Sequence, residues 1–107
     1  MTDPELKERI LAFMGANKLT VISTVDTETN KPEAAVIAFA EKDTLELVFG
    51  TSNTSRKYKN LNTNPNVSFV IGWTDEFGTI QYEGIANELS GETAHAYGEI
   101  MAEKNTE

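Results

Sequence analysis

Short runs of β-branched and aromatic residues, separated by turn-forming residues, constrain most strongly what this chain can fold into. Each run has the length of a strand, and polar connections such as DTETNKP and EKDT divide them. The runs are Leu19–Val25, Glu33–Ala40, Leu45–Gly50, Val67–Trp73 and Thr79–Leu89. Strands joined by such short connections predict a mainly β (α+β) fold, a small antiparallel barrel or sandwich.

Short helices are predicted at three places beside these strands. Asp3-Pro4 indicates an N-cap followed by a proline, and Gly15 supplies a stop. A second helix follows Thr54 or its neighbours and ends at Asn64-Pro65, and a third begins at Ser90. The run Glu33–Ala40 is almost continuously apolar, which is typical of a strand that is covered on both faces.

The composition is that of a soluble globular protein and excludes several classes of site. The 107 residues fit one domain, 1–107, with 39% hydrophobic and 24% charged residues. Without cysteine there is no disulfide scaffold, thiolate zinc site or cysteine nucleophile, and no metal-ligand cluster stands out. No apolar run approaches the ~20 residues of a membrane span, and the charged N-terminus lacks a signal-peptide core. A cytoplasmic location is therefore expected.

Charge is distributed unevenly along the chain. With 17 acidic and 9 basic residues the formal charge is −8, which argues against nucleic-acid binding because such binding depends on neutralising phosphates. The stretch FGTSNTSRKYKNL nevertheless places three cations close behind a run of hydroxyl and amide side chains. A small phosphorylated ligand needs only such a local positive site.

The segment TSNTSRK has the chemistry of a phosphate-binding loop. A phosphate monoester offers three acceptor oxygens and about −1.5 to −2 charges near pH 7. Arg56 can serve as a bidentate donor and Lys57 as a point charge, with Thr51, Ser52 and Ser55 adding hydroxyl or backbone N–H donors at a helix start. The alternative is that the hydroxyls only cap the helix and the cations are only solvated.

Two other residues carry competing interpretations. His95 is the only histidine; a surface or packing role on the last helix is weighed against haem ligation. Trp73 is either a core or interface residue or a stacking partner for a ring.

The order of these motifs resembles one known family. The run VFGTSNTSRKYKNLNTNPNVSFVIGW, followed by the strand that contains YEGIA, is similar to the pyridoxamine 5′-phosphate oxidase-related FMN-binding split-barrel family. In that family a strand leads through a Thr/Ser loop into Ser-Arg-Lys, and an Asn-Pro turn precedes the next strand. The similarity extends from about Lys18 to about Leu89.

The resemblance implies a six-stranded split barrel that forms a homodimer, with FMN as the cofactor at the subunit interface. Arg56 and Lys57 would hold the FMN phosphate, helped by Ser55 and by Thr51 or Ser52. The remaining implied contacts are a strand along the isoalloxazine ring, Val36-Ile37-Ala38-Phe39, and a looser approach by Trp73 and Thr79. No catalytic residue is assigned, because flavin chemistry does not require a general acid or base from the protein.

The sequence also departs from the family pattern. Pyridoxamine-phosphate oxidases carry basic residues where this chain has Ala35 and Ala40, and a histidine-containing motif near the C-terminus that is missing here. True pyridoxamine-phosphate oxidase activity is therefore not expected, and the general-stress-protein-like branch is favoured. Family members also place a strand after the last helix; a shortened chain, a covering partner and a naturally minimal member remain alternatives.

Three functional hypotheses follow. The first is an FMN-dependent oxidoreductase that uses an undefined small-molecule substrate or an electron donor such as NAD(P)H. The second is a non-catalytic binding module for FMN or a related cofactor, haem or a deazaflavin. The third is a structural dimer with an empty site.

Overall fold

The computed structural model describes residues 2–73 and 78–105, so the predicted hairpin connection Thr74–Gly78 lies largely outside the described residues. The described part contains three helices and six strands. In chain order they are α1 (Asp3–Gly15), β1 (Leu19–Asp26), β2 (Lys31–Ala38), β3 (Ala40–Glu41), β4 (Leu47–Val48), α2 (Arg56–Thr63), β5 (Asn66–Ile71), β6 (Ile80–Ile85) and α3 (Gly91–Asn105). No helix in residues 2–73 or 78–105 has both the length and the apolarity to cross a membrane.

Four strands form one antiparallel sheet in the order β2-β1-β5-β6, and β3 pairs with β4 in a separate ribbon. Ile22 of β1 lies opposite both Ala35 of β2 and Phe69 of β5. Within the described chain β2 and β6 remain edge strands, so the barrel is not closed. The predicted antiparallel α+β architecture with flanking helices is confirmed, although the helices contain slightly more of the chain than the strands do.

The core lies on the inner face of the sheet, where buried side chains alternate along β1 and β5. One cluster joins Met14, Phe39 and Ile71, and a second consists of Ile22, Val67 and Phe69. The ring of Phe69 packs edge-on against two other aromatic rings, at centroid distances of 5.6 and 5.7 Å. The alternation explains why β1 and β5 are readable from sequence: each has one apolar face and one more polar face.

The outer face of the sheet is uncovered within the chain. Val36 is 58% exposed and Ile85 is 67% exposed. The prediction that Glu33–Ala40 is covered on both faces is therefore wrong within the described residues, because β2 turns only alternate side chains, those of Ala35 and Ile37, to the core and leaves Val36 exposed. In the pairing register Val21 lies between Val36 and Val70, so this row of the open face is apolar, whereas the next row contains Ser23 and Ser68.

The predicted strand Glu33–Ala40 is interrupted at Phe39. β2 ends at Ala38, Phe39 turns fully into the core, and Ala40 pairs with Val48 in the β3–β4 ribbon. The predicted strand Leu45–Gly50 is shorter for a different reason. Leu45 adopts a left-handed conformation, with φ of 70°, in the tight turn between β3 and β4, so its side chain does not continue the strand.

The remaining boundaries shift by a few residues. Thr2, not Asp3, caps α1, and its hydroxyl accepts a hydrogen bond from the Glu5 amide at 3.2 Å. β6 ends at Ile85, short of the predicted Leu89. Its partner strand begins just after Pro65, which has no N–H to extend the ladder.

Helix α3 has one partly buried side, formed by Ala94, Tyr97, Ile100 and Met101, and two lysines add polar contacts to it. Lys42 donates a 2.7 Å hydrogen bond to the Tyr97 hydroxyl, and this bond raises the pKa of Lys42. Lys104 forms a salt bridge with Glu41, donates to a backbone carbonyl at 3.1 Å and lies 3.8 Å from the centroid of the Phe39 ring. Polar and cation–π contacts therefore hold α3 on the ribbon.

Candidate functional site

The loop before α2 folds on its own hydroxyl groups. Ser55 is the N-cap, and its Oγ accepts from the Tyr58 amide at 3.2 Å while it donates to the Ser52 carbonyl at 2.8 Å. The Thr51 hydroxyl lies 2.8 Å from Ser55 Oγ, and the Ser52 hydroxyl lies 2.8 Å from that of Thr54. These hydroxyl groups bond to one another and to the backbone of the loop. Ser55 therefore caps the helix, as the alternative interpretation of the sequence predicted for these hydroxyls.

The helix start also displays both predicted cations. Arg56 and Lys57 are the first two residues of α2, where the backbone N–H groups have no intrahelical acceptor. Lys57 is partly buried, and no ion pair or hydrogen bond of its ammonium group is found within the described chain. The five residues predicted around a phosphate, from Thr51 to Lys57, are therefore brought together.

A buried polar chain connects α2 to the sheet. Asn60 is 3% exposed, and its Nδ2 donates to Thr24 Oγ1 at 3.0 Å and to Glu33 Oε1 at 2.8 Å. The other oxygen of Glu33 accepts from Arg56 Nη1 at 2.8 Å. The sequence analysis missed Glu33 and Asn60 as members of the site. Glu33 lies 23 residues before Arg56 and Asn60 lies 4 residues after it, and no sequence motif links the three positions. Only the pairing of the strands brings Glu33 to α2.

A small cavity of about 90 Å³ lies between the start of α2 and β2, lined by Glu33, Ala34, Ala35, Arg56 and Lys57. This volume is far below the roughly 300 Å³ or more of a pocket that encloses a whole small-molecule cofactor. The cavity therefore suits a single charged group, and any attached ring system must lie outside it. Ala35 lines the cavity without adding charge.

The predicted ring-binding strand leads away from this cavity. Val36 faces outward, Ile37 faces the core and Ala38 ends β2, about 14 Å from Ala34 at the rise of ~3.4 Å per residue. Because β2 is an edge of the sheet, alternate backbone N–H and C=O groups point away from β1. Phe39 differs from the expectation: its ring is fully buried and its N–H donates to the Lys18 carbonyl at 3.3 Å.

Trp73 and Thr79 are not brought to the cavity within one chain. Trp73 is 46% exposed just beyond β5, and Thr79 precedes β6. The register places both at the end of the sheet where β2 ends, but β6 is three strands from β2, about 14 Å across the sheet.

Other features of the described chain do not form a competing site. A larger groove of about 450 Å³ crosses the outer face of β1, β5 and β6 and includes none of the predicted site residues. No group of three metal-ligating side chains is found in the described ranges. His95 is 79% exposed, with its Nε2 3.1 Å from a Glu99 oxygen, as expected of a surface residue.

Tyr58 attaches α2 to the segment that follows β6. Its hydroxyl donates to Glu88 at 2.7 Å, and this hydrogen bond raises the pKa of Tyr58. Leu61, on the same side of α2, contacts the second core cluster. These two contacts attach α2 to the rest of the fold on the side away from the cavity residue Arg56.

An antiparallel sheet curled around one core, with a separate two-stranded ribbon and three flanking helices, defines the split-barrel class of α+β proteins. A family profile described as pyridoxamine 5′-phosphate oxidase matches residues 6–105. The chain therefore belongs to the pyridoxamine 5′-phosphate oxidase family. The family resemblance inferred from the Ser-Arg-Lys motif is confirmed.

Individual relatives agree with this assignment. A pyridoxine/pyridoxamine 5′-phosphate oxidase of Anaplasma phagocytophilum is 32% identical over 77 residues, which cover 72% of this chain and 37% of that protein. General stress protein 26 of Bacillus anthracis is 30% identical with a TM-score of 0.67, over 78% of this chain and 62% of that one. The chain spans less than half the length of the curated relatives it matches.

A further solved structure shares the fold at low identity. It is a heme binding protein from Mycobacterium smegmatis, with a TM-score of 0.79 and 17% identity, covering 99% of this chain and 46% of that one. At this identity the likeness concerns the fold alone.

Proposed function

We propose that this chain binds FMN and acts as a flavin-dependent oxidoreductase of undefined substrate. One observation carries the proposal: Arg56 and Lys57 stand together at the Ser55-capped start of α2, beside the edge strand β2, in a member of a flavin-oxidase family. FMN, when bound, supplies two-electron redox chemistry.

The residues divide the binding task by chemistry. Arg56 and Lys57 would neutralise the phosphate in the small cavity, with Ser55 and Thr51 or Ser52 shaping the loop behind it. The free edge of β2 from Val36 to Ala38 offers backbone polar groups to the ring, and Phe39 would contribute support from the core rather than contact. Both the cavity chemistry and the edge geometry fit the two ends of FMN.

We further propose that a second copy of the chain completes the site. The cavity is too small for the whole cofactor, and the two edge strands leave large apolar side chains exposed, Val36 on β2 and Ile85 on β6. In a homodimer, Trp73 and Thr79 would approach the flavin from the partner rather than from the same chain. The dimer would act in the cytoplasm, and molar-mass measurement by light scattering tests it directly.

The substrate remains a separate proposal. A small organic molecule or an electron donor such as NAD(P)H would exchange electrons with the flavin. Oxidation of pyridoxamine phosphate is not proposed, since a second phosphate would find Ala35 and Ala40 where the family has basic residues.

Absorbance of the purified protein, before and after addition of FMN, is the first experiment. A bound-flavin spectrum supports the proposal, and a colourless protein that does not bind added FMN contradicts it. Replacing Arg56 or Lys57 with Ala should weaken FMN binding by about 1.5–3 kcal/mol each if each makes a charged contact with the phosphate. Lys59→Ala is the matched control, because Lys59 lies on the same helix as Arg56 but pairs with exposed Glu28 of the turn between β1 and β2.

Turnover is tested after binding. Reduction of the bound flavin by NAD(P)H, followed by reoxidation in air, supports the oxidoreductase over a passive binding module. A bound flavin that no donor reduces would instead support the module.

The second candidate is haem binding, which the fold shared with the Mycobacterium smegmatis protein favours. Haem requires an axial ligand, and the single histidine is exposed on α3 beside Glu99. A Soret band on addition of haem that disappears in His95→Ala would favour this candidate.

A further inference from the structure

The two oxygens of the Glu33 carboxylate have different partners. One accepts from Asn60, an amide that is 3% exposed and also bonded to buried Thr24; the other accepts from Arg56 Nη1 at 2.8 Å. The Glu33 side chain is only 20% exposed, whereas that of Arg56 is 79% exposed. The carboxylate of Glu33 is thus held on its buried side by Asn60 and contacts the exposed side chain of Arg56 on its outer side.

The chain of bonds bears directly on Arg56. An arginine at the surface loses considerable rotamer freedom when it is fixed by a ligand, and this loss opposes binding. The bond to Glu33 restricts the rotamers of Arg56 already in the folded protein, before any ligand binds, because Asn60 fixes the carboxylate. Less rotamer freedom is then left to lose on binding. A guanidinium has five N–H donors, so the bond through Nη1 leaves others for an anion.

The charge of Glu33 acts in the opposite direction. A carboxylate beside the cavity repels a phosphate, and it reduces the positive charge that Arg56 presents. Lys57 lines the same cavity and offsets this charge. Arg56 is well exposed to solvent, so water and salt weaken both this repulsion and the ion pair itself. What remains specific to Glu33 is the direction that its hydrogen bond, anchored by Asn60, gives to the guanidinium group.

We propose that Glu33 is a positioning residue that orients Arg56 for the phosphate of the cofactor, with Asn60 and Thr24 as its anchor. The inference rests on the proposed FMN site and adds to it a residue that would touch no part of FMN. It predicts that Glu33 controls the preference for a phosphorylated flavin over the same flavin without phosphate.

The experiment measures dissociation constants for FMN and for riboflavin, in the same full-length protein, at fixed salt. Their ratio isolates the phosphate contribution. Glu33→Ala should reduce the preference for FMN about tenfold and leave riboflavin binding unchanged, a loss within the limit set by arginine rotamer entropy. Glu33→Asp keeps the charge but shortens the arm by one methylene, and it should show a similar loss.

Rescue and controls separate positioning from charge. Glu33→Gln should retain most of the preference, because its amide oxygen still accepts from Arg56 and its NH₂ can meet Asn60 after that amide turns over. Glu28→Ala removes an exposed ion pair to Lys59, which lies on the same helix as Arg56. This variant should leave the ratio of the FMN and riboflavin dissociation constants unchanged. Thermal unfolding confirms that each variant is folded, and Glu33→Asp decides the matter should Glu33→Ala not fold.

The outcomes distinguish this inference from the proposed function. If Arg56→Ala abolishes the preference for FMN but Glu33→Ala and Glu33→Asp retain or increase it, the positioning role is overturned and the FMN site stands. If the unmodified protein does not prefer FMN, or Arg56→Ala does not change the preference, the phosphate site fails and the role of Glu33 fails with it.

Discussion

Replacement of Gly72 by alanine should destabilise the protein through two separate effects. Gly72 ends β5 in a left-handed conformation, with φ of 85°, and is buried beneath the ring of Phe13 from α1. A Cβ built on Gly72 overlaps two carbon atoms of that ring, well inside van der Waals contact. The substitution therefore strains the backbone and forces the Phe13 ring to shift from its place against β5.

The magnitude follows from the two terms. A non-glycine residue in the left-handed region costs about 1–2 kcal/mol. Overpacking of a filled core site costs about 1–3 kcal/mol, because Phe13 is held between α1 and the first core cluster. Together they predict a loss of about 2–5 kcal/mol in the free energy of unfolding, a large share of the stability of a small domain.

Urea denaturation followed by tryptophan fluorescence measures this loss, since Trp73 is the neighbouring residue and the only tryptophan. Gly98→Ala is the matched control: Gly98 is exposed within α3, no atom lies within 4 Å of an added Cβ, and the substitution should stabilise by about 0.5–1 kcal/mol. In a Phe13→Ala background the steric term should disappear and the backbone term remain. A Gly72→Ala protein within 0.5 kcal/mol of the unmodified one would refute the packing of α1 described above.

Two further perturbations test other parts of the fold. Lys104→Ala should lower the free energy of unfolding by about 3 kcal/mol in urea denaturation, because Glu41 is left mostly buried without its partner; a loss below 1 kcal/mol would contradict this. Burial raises the pKa of Tyr82 above its ordinary value near 10, so the folded state holds that proton more tightly than the unfolded state does. The contribution of Tyr82 to the free energy of unfolding should be fully present below pH 10 and be lost as the pH rises further. The free energy of unfolding should therefore fall less steeply with pH in Tyr82→Phe than in the unmodified protein; equal slopes would rule out Tyr82 as a contributor.

The sequence predicted best the strands that have one apolar face and one more polar face. β1 is found within one residue of its predicted bounds, because Ile22 and its neighbours alternate with the sheet. The continuous apolar run Glu33–Ala40 has no such phase. Every residue from Ala34 to Ala40 is apolar and could lie on either face of a sheet. The sequence pattern therefore does not show that β2 ends at Ala38 and that Phe39 turns into the core.

The candidate site divides in the same way. The local part was predictable: capping chemistry places Ser55 at the start of α2, and Arg56 and Lys57 follow from it. Glu33 was not predictable, because its bond to Arg56 depends on the pairing of β2 with β1 and on the packing of α2 against β1 through Asn60. Contacts fixed by three elements at once leave no spacing signal in one sequence.

The attachment of α3 implies that the molecule does not unfold as one block. A helix with no fully buried side chain can leave the ribbon while the sheet remains intact, at the cost of the lysine contacts and of the partly buried apolar side chains. Amide hydrogens in α3 should thus exchange with solvent through local opening, far sooner than those of β1, whose buried residues Thr20, Ile22 and Thr24 exchange only on global unfolding. Each opening would also remove the Lys104 ammonium from the face of the Phe39 ring, so motion of α3 would change a contact at the end of the strand proposed to carry the flavin.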